Sequence, residues 1–326
     1  MRKLLFYLLL SLGNIFVFSQ SYECGMIGLS ENSLQRSIPF NLLDEVEVSE
    51  QYILVKTHIV RENDSSGGVT IAAVNNAYSD AIEILSSNNS EINLIVDPEV
   101  NYIDNSEYLY ISSQDQLHEL LDIDDDYFRI DVYFVTYYYR GNGAAQDYGA
   151  SDILIASYAT DNTSTLAHEI GHCFGLYHTF HGTSTENDGD EDQCAELVLR
   201  TNCNDCGDYL CDTPADPKIL QEHVNLDCNL IIPMDVDGNG QEYEPDPMNL
   251  MSYSRLTCRV YISPQQISVM QFIIQGSGIA MTEAQLGFAN RPQDEPDTNY
   301  TQSTLDIINL DHSEFTIDDL WSGTET

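Results

Sequence analysis

The chain has 326 residues, with 12 lysines and arginines against 53 aspartates and glutamates, and a formal net charge of −41. So acidic a chain excludes electrostatic binding to nucleic acid, which depends on lysine and arginine, and disfavours adhesion to anionic membranes. The length is sufficient for a full hydrophobic core in one or two domains.

The N-terminus has the pattern of a secretory signal peptide. Two basic residues precede an apolar run over residues 4–18, which is shorter than the roughly 20 residues needed to span a bilayer. We therefore expect residues 1–19 to be a signal peptide and the mature protein to be secreted, extracellular or periplasmic, without membrane insertion. Residues 20–48 are polar without clear periodicity and are interpreted as a propeptide.

The first half of the chain combines predicted strands and helices. An apolar stripe at the helical period predicts an amphipathic helix from Thr70 to Ser87. A further helix is predicted to open near residues 163–165. Alternating or β-branched patterns predict strands at residues 51–60, 91–97, 129–139 and 152–158. These elements predict an α+β fold with a mixed sheet, and the sheet edge near residues 152–158 is expected to pair with an extended substrate.

The last helix of this half carries the segment HEIGHCFGLYH. Residues four apart lie above one another on a helix, so His168 and His172 can share one cation. Gly175 can adopt a positive φ and end the helix, which lets the chain return His178 to the same point. Three imidazoles with one open position are typical of catalytic zinc, and Glu169 is placed to act on a water in that position.

Downstream, the segment NLMSY places Met251 in a turn-prone stretch, with Tyr253 two residues later. The extended histidine motif together with such a Met-turn is the metzincin signature. Met251 is expected to lie under the histidines as an apolar floor, and Tyr253 to reach the substrate side of the metal. The alternative, three unrelated histidines on an amphipathic helix, does not account for the five fixed positions of the motif.

The segment after the histidines is rich in glycine, proline, aspartate and asparagine, with little periodicity. In a secreted chain most cysteines form disulfides, so irregular structure linked by disulfides is predicted here. A C-x-x-C pair could instead suggest a second zinc, but no second pair matches it. Ser263, Pro264 and Gln266 form a helix-capping pattern that predicts a helix over residues 263–278. The cysteines expected to form disulfides are Cys194, Cys203, Cys206, Cys211, Cys228 and Cys258.

The segments LAHEIGHCFGLYHTF, GDYLCDTPADP and NLMSY resemble the pappalysin family of metzincin zinc metallopeptidases, in particular its shorter secreted microbial members. The resemblance implies a two-lobed catalytic domain over residues 49–289. A twisted mixed sheet with backing and active-site helices (49–175) would lie above an irregular, disulfide-linked lower lobe (176–289) that ends in a helix. Residues 290–326 are interpreted as an acidic C-terminal tail.

The resemblance also suggests how the cysteines pair. It implies one disulfide between Cys211 and Cys258 and another between Cys194 and Cys228. Cys203 and Cys206 would then remain as a local pair. Cys173, inside the histidine helix, is expected to be a buried free thiol.

Calcium is a second expected metal. The resemblance places calcium sites around the CDTP segment, so Asp208, Asp212 and Thr213 are candidate ligands. Separately, DVDGNGQEYEPD (235–246) resembles a calcium loop through Asp235, Asp237 and Asn239, with an ordinary turn as the alternative.

Cys24, in the segment ECGM just beyond the signal peptide, lies far from the other cysteines. A thiolate is a strong zinc ligand, so we expect Cys24 to occupy the open zinc position of the zymogen as a latency switch. The alternatives are a disulfide with Cys173 or an unpaired surface thiol.

The predicted function is a secreted zinc-dependent endopeptidase, monomeric, acting on protein or peptide substrates. Glu169 would take the proton of the attacking water and deliver it to the leaving amine, and Tyr253 can donate to the oxyanion. An acidic cleft would favour basic or neutral residues near the cut, and the resemblance suggests Arg or Lys after the scissile bond. The alternative functions are a calcium-dependent binding or adhesion protein on a metzincin scaffold and a zinc hydrolase of non-peptide substrates. The intact Glu169 and the three intact histidines disfavour the binding or adhesion protein. The Met-turn disfavours the hydrolase of non-peptide substrates.

Overall fold

The structure is a computed structural model that describes Leu43 and residues 46–124, 128–146, 151–161, 163–183 and 194–281. The predicted signal peptide, Cys24 with most of the predicted propeptide, and the predicted tail over residues 290–326 lie outside these residues. Within the described ranges, no helix is long and apolar enough to cross a membrane.

The described residues contain eight strands in the first half of the chain, and six of them form one mixed sheet. The strands are β1 (Gln51–Arg61), β2 (Ile92–Val96), β3 (Asn101–Asp104), β4 (Tyr110–Ile111), β5 (Ile130–Val135), β6 (Tyr137–Tyr138), β7 (Gly143–Ala145) and β8 (Asp152–Ala156). The sheet order is β2–β1–β5–β8–β7, and β3 pairs with the C-terminal part of β1. All of these pairings are parallel except that of β7 with β8. Strands β4 and β6 form a separate parallel pair.

Four α-helices pack around the sheet in the described residues. They are α1 (Ile71–Ser87), α2 (Gln114–Leu121), α3 (Thr165–Cys173) and α4 (Pro264–Ser277). Side chains alternate between the two faces of a strand, and β5 is buried on both. Val132 and Phe134 join the core beneath α1, α3 and α4, whereas Tyr133 and Val135 join a second core with α2. The helix that carries the histidines therefore lies on the α1 face of the sheet.

Residues 194–262 have little regular secondary structure and contain three disulfides. Leu250, Met251 and Ile262 from this segment are buried in the same core as α3 and α4, so the irregular part is anchored on the site helix. The predicted α+β architecture is confirmed, with a mixed sheet, helices on it, an irregular disulfide-linked segment and a final helix.

The predicted disulfide pairing is wrong, although the six predicted cysteines are the ones that are bonded. The bonds join Cys194 to Cys206, Cys203 to Cys211 and Cys228 to Cys258, over sequence separations of 12, 8 and 30 residues. Two of the three close short loops within residues 194–211, where consecutive turns bring neighbouring cysteines together. Cys173 is a free, buried cysteine, as predicted.

The sheet edge was also predicted wrongly. Residues 152–158 were expected to be exposed for pairing, but β8 is internal and entirely buried, because β7 covers it as an antiparallel edge strand. The segment GAA of β7 is short and contains glycine, so it lacks the alternation by which strands are recognised.

Candidate metal centre

Helix α3 and the turn that follows it bring the three predicted histidines together. The turn is a Schellman motif, in which the Leu176 amide donates to the Gly171 carbonyl and the Gly175 amide to the His172 carbonyl, both at 2.9 Å. Gly175 has a φ of +86°, which favours glycine. Its α-carbon also faces α4 so closely that an added Cβ would lie 3.0 Å from Ile273. The chain thereby reverses and carries His178 back to the helix.

The three imidazoles point their Nε2 atoms at one another. Nε2 of His172 lies 3.2 Å from Nε2 of His168 and 3.1 Å from Nε2 of His178. Nδ1 of His168 lies 2.8 Å from the carbonyl oxygen of Leu250, and Nδ1 of His172 lies 2.7 Å from that of Leu176. Because a carbonyl only accepts, both Nδ1 atoms carry the proton and both Nε2 lone pairs face the common point. This donor set fits a metal ion.

The environment also favours the neutral histidine that a metal ligand must be. All three imidazoles are buried. Burial, followed by the neighbouring charge of His172, holds the pKa of His168 well below its usual value, and Arg259 acts in the same direction. His168 is therefore deprotonated at neutral pH, so a metal would not have to displace a proton from it.

Glu169 follows the first histidine and is buried between α3 and the edge strand β7. The backbone of β7 comes so close that a Cβ built on Gly143 would lie 3.0 Å from Oε1 of Glu169. It would also lie 2.9 Å from the carbonyl oxygen of Leu154 and 3.0 Å from the Cγ2 atom of Thr165. The structure thus places the predicted general base beside β7, the last strand of the sheet.

Met251 and Tyr253 lie on two sides of the histidines. Met251 is fully buried, and its Sδ atom would lie only 2.8 Å from a Cβ placed on Gly171 of α3. It therefore supports the helix between the first two histidines. The Tyr253 ring lies 4.8 Å from the ring of His178, measured between centroids.

The candidate calcium ligands around the CDTP segment fall into two groups. Asp208 is buried, and its Oδ1 accepts hydrogen bonds from Thr213 Oγ1 at 3.0 Å and from the Leu210 amide at 3.1 Å. Asp212 instead caps helix α4, since its carboxylate accepts from Ser263 Oγ and the Gln265 amide, each at 2.8 Å. Asp212 therefore has a structural role at the start of helix α4, and its part in calcium binding stays a prediction.

Glu196 was not predicted from the sequence. It is buried, and neither of its carboxylate oxygens has a hydrogen-bond partner among the described residues. Burial, with the nearby charge of Asp208, raises the pKa of Glu196 to about 9. Burial likewise raises the pKa of Asp208 to about 7. Two neighbouring buried acids whose pKa values are both raised are typical of a site that binds a cation. No motif surrounds Glu196, so only its burial identifies it.

The loop over residues 235–246 is organised as a turn. The Asp237 carboxylate accepts hydrogen bonds from three backbone amides, those of Val198, Asn239 and Gln241. These bonds, led by that from Gln241, lower its pKa. Asp235 accepts from the next amide along the chain. Among the described residues, the two clusters of metal-ligating histidine, cysteine and carboxylate groups do not include an aspartate of this loop, and calcium binding by the loop stays a prediction.

A second cluster of ligating groups lies on the α2 face of the sheet. His58 Nε2 is 2.7 Å from Asp131 Oδ1, and Asn101 Nδ2 is 3.0 Å from His58 Nδ1. Arg129 donates from Nε to Asp131 at 2.9 Å, and its Nη2 lies 3.0 Å from Asp124 Oδ1. Because the guanidinium already pairs with both carboxylates, we interpret this cluster as a structural network that joins β1, β3 and β5.

Comparisons with known proteins are consistent with a metalloprotease. Over 105 residues the chain is 35% identical to an extracellular metalloprotease of Sordaria macrospora and to one of Neurospora crassa. The match covers 32% of this chain and 26% of each relative, so the chain spans about a quarter of the length of the curated relatives it matches. No family model matches the chain.

The solved structures that partly match this backbone have lower sequence identity to the chain than these two relatives. Mature mirolysin of Tannerella forsythia in complex with a cleaved peptide is 14% identical, covering 72% of this chain and 95% of that chain, with a TM-score of 0.47. Mirolysin in complex with compound 9 is 15% identical over a match that covers 71% of this chain and 94% of that chain, with a TM-score of 0.49. These likenesses are too distant to carry an argument about this chain's activity.

Proposed function

We propose that this protein is a secreted zinc-dependent endopeptidase. The observation that carries the proposal is the convergence of three buried imidazole Nε2 atoms, two of them fixed by Nδ1–carbonyl hydrogen bonds. Glu169, beside the first of these histidines, supplies the acid–base group that hydrolysis needs. The identity with two extracellular metalloproteases supports the same function.

The chain's residues divide the reaction between them. His168, His172 and His178 would hold zinc, which when bound polarises the scissile carbonyl and acidifies the attacking water. Glu169 accepts a proton from that water and returns it to the leaving amine, so its carboxylate must be ionised at the start of the cycle. The free edge of β7 pairs with the substrate main chain, which aligns the scissile bond with Glu169. Tyr253 is the candidate hydrogen-bond donor to the oxyanion.

Replacement of Glu169 tests the proposal directly. Glu169→Gln should keep about one zinc per chain, because the three histidines are untouched, yet reduce casein hydrolysis by several orders of magnitude. Zinc content by atomic absorption and cleavage of labelled casein, each with and without a chelator, are the measurements. Glu83→Gln, on the exposed face of α1, is the matched control and should behave as the parent.

Three outcomes separate the candidate functions. A zinc-loaded parent that is inactive on casein and on peptides would refute the endopeptidase. Near-parental hydrolysis by zinc-loaded Glu169→Gln would refute the role of Glu169 as the acid–base group, but it would not refute the endopeptidase activity. A calcium-dependent binding or adhesion protein on a metzincin scaffold would show no turnover at all, and no feature of the site favours it over hydrolysis.

We further propose a structural calcium ion at Glu196 and Asp208. The buried, unpartnered carboxylate of Glu196 supports it, because an ionised buried carboxylate needs a cation or a donor. Calcium at about 100 times its Kd should raise the melting temperature by roughly 5 °C through binding to the folded state. Glu196→Gln should abolish that increase, whereas Glu222→Gln, on the exposed turn at 221–223, should preserve it. An unchanged calcium response in Glu196→Gln would remove this residue from the site.

A further inference from the structure

Thr179 follows the third histidine and is bonded on two sides. Its amide donates to the Met251 carbonyl at 3.2 Å, and its Oγ1 donates to Oδ2 of Asp216 at 2.7 Å. Both Thr179 and Asp216 are buried. A hydrogen bond to an ionised carboxylate is shorter and stronger than one between neutral groups. The backbone next to His178 is therefore tied both to the Met-turn and to the segment that contains Asp216.

The other carboxylate oxygen of Asp216 organises the chain that follows it. Oδ1 accepts hydrogen bonds from the amides of Lys218 and Ile219, each at 2.8 Å. Lys218 has a φ of +74°, which few non-glycine residues adopt. Such a conformation persists only where the surrounding structure holds it, and functional sites are where it is often found. One carboxylate thus holds both a strained turn and the hydroxyl group beside the third histidine.

The strained turn leads directly to the aromatic side of the histidine cluster. Leu220, which follows the turn, forms a parallel bridge with Tyr253. The Tyr253 ring packs edge-on against the rings of His178 and Phe180, at centroid distances of 4.8 and 4.6 Å. Phe180 stacks on the His178 imidazole, with centroids 4.7 Å apart and planes 8° apart. A displacement of the turn would therefore reach His178 through its backbone and through its ring contacts.

The third histidine depends on such tertiary contacts more than the first two do. His168 and His172 belong to helix α3, and their Nδ1 atoms bond to the carbonyls of Leu250 and Leu176. His178 lies beyond the end of the helix, so the i→i−4 bonds of α3 do not fix its backbone. Groups that orient a metal ligand from outside the coordination shell typically change metal affinity by about 10–100-fold when they are removed.

We propose that Asp216 is a positioning residue of the metal centre, which fixes His178 through Thr179 and through the strained turn. The inference rests on the proposed metallopeptidase function. It gives the end of the segment GDYLCDTPADP a role at the histidines, whereas the sequence indicated disulfide bonding and calcium for this segment.

Two variants of nearly unchanged shape test the inference. Thr179→Val removes the hydroxyl donor and keeps the β-branched side chain, and Asp216→Asn replaces the carboxylate by an amide. Each should weaken zinc binding by about 10–100-fold in a competition titration with a chelator. Each should also change the visible absorption spectrum of the cobalt(II)-loaded protein, which reports the geometry of the ligands. Thr179→Ser keeps the hydroxyl and should restore the parental affinity and spectrum.

The double variant and a control separate positioning from stability. Thr179→Val combined with Asp216→Asn should bind zinc about as weakly as Asp216→Asn alone, because both changes remove the same hydrogen bond. Thr57→Val is the matched control, since it removes another buried hydroxyl, which bonds to the Tyr78 hydroxyl at 2.9 Å between β1 and α1. It should lower the melting temperature and leave zinc affinity and the cobalt spectrum as in the parent.

The outcomes distinguish the inference from the proposed function. A parent protein that binds no zinc would refute the proposed function itself. Parental zinc affinity and a parental cobalt spectrum in both Thr179→Val and Asp216→Asn would overturn the inference alone, whatever their melting temperatures. Weaker zinc binding in Asp216→Asn but not in Thr179→Val would overturn the connection through Thr179. If Asp216→Asn does not fold, the comparison of Thr179→Val with Thr179→Ser decides.

Discussion

Gly143→Ala is the sharpest probe of how β7 positions the general base. One added methyl group would lie 2.9 Å from the Leu154 carbonyl oxygen, 3.0 Å from Glu169 Oε1 and 3.0 Å from Thr165 Cγ2. Real Cβ atoms seldom come so close, and the three neighbours are a backbone oxygen of β8 and two side chains of α3. Overpacking of this kind costs about 1–3 kcal/mol. The ordinary gain from replacing a strand glycine, roughly 0.5–1 kcal/mol, is too small to offset it.

The variant should therefore lose both stability and activity. A net loss of about 1–2 kcal/mol corresponds to a fall of several degrees in melting temperature. Because the Glu169 carboxylate must move, kcat/KM on a fluorogenic peptide should fall by roughly 10–100-fold, while zinc content stays near one per chain. The assays are differential scanning fluorimetry, peptide hydrolysis and metal analysis on the same preparation.

Gly276→Ala is the matched control, because nothing lies within 4 Å of its added Cβ in helix α4. It should be neutral or stabilising by up to about 1 kcal/mol, with parental activity. A Gly143→Ala protein with the parental melting temperature and parental kcat/KM would refute the close packing of β7 on Glu169.

Three further predictions concern the supports of the site. Gly171→Ala should weaken zinc binding roughly tenfold, because its Cβ would lie 2.8 Å from Met251 Sδ, and a competition titration with a chelator that gives the parental affinity would contradict this. Asp212→Ala should lower the free energy of unfolding in urea by about 1–2 kcal/mol through loss of the α4 cap, yet leave calcium affinity unchanged. The pKa values of Glu196 and Asp208, raised to about 9 and about 7, mean that folding favours the protonated forms. Without calcium, stability should therefore decline as pH rises from about 4 to about 9, and calcium should raise the melting temperature more at pH 8 than at pH 5.

The sequence predicted the beginnings and ends of helices well, because these depend on a few neighbouring residues. The pattern at Ser263, Pro264 and Gln266 predicted α4 and its capping box, and both capping bonds are present, at 3.2 and 2.9 Å. The glycine that ends α3 has the predicted positive φ, because the signal depends on one residue and its immediate neighbours. Such signals do not require knowledge of distant parts of the chain.

Features that depend on distant contacts were predicted less well. The single strand predicted over residues 129–139 is broken after Val135, because the Thr136 and Tyr137 amides both donate to the Leu109 carbonyl. The disulfide partners depend on which turns come together within residues 194–211, and spacing alone does not determine this. Strand β7 was missed because three small residues carry no alternation, although its position beside Glu169 makes it important to the site.

The charge around the site was also hard to predict, because the acidic composition of the chain does not say which charged groups lie near the histidines. A net charge of −41 describes the whole surface and predicted an acidic cleft, but charges separated by more than about 8 Å of solvent are largely screened at physiological salt. The field at the histidines is therefore set by the few groups packed around them, and the buried Arg259, which lowers the pKa of His168, is one of these. A substrate preference inferred from such a site follows from the side chains in contact with it, and the acidic remainder of the surface favours solubility and slows the approach of other polyanions.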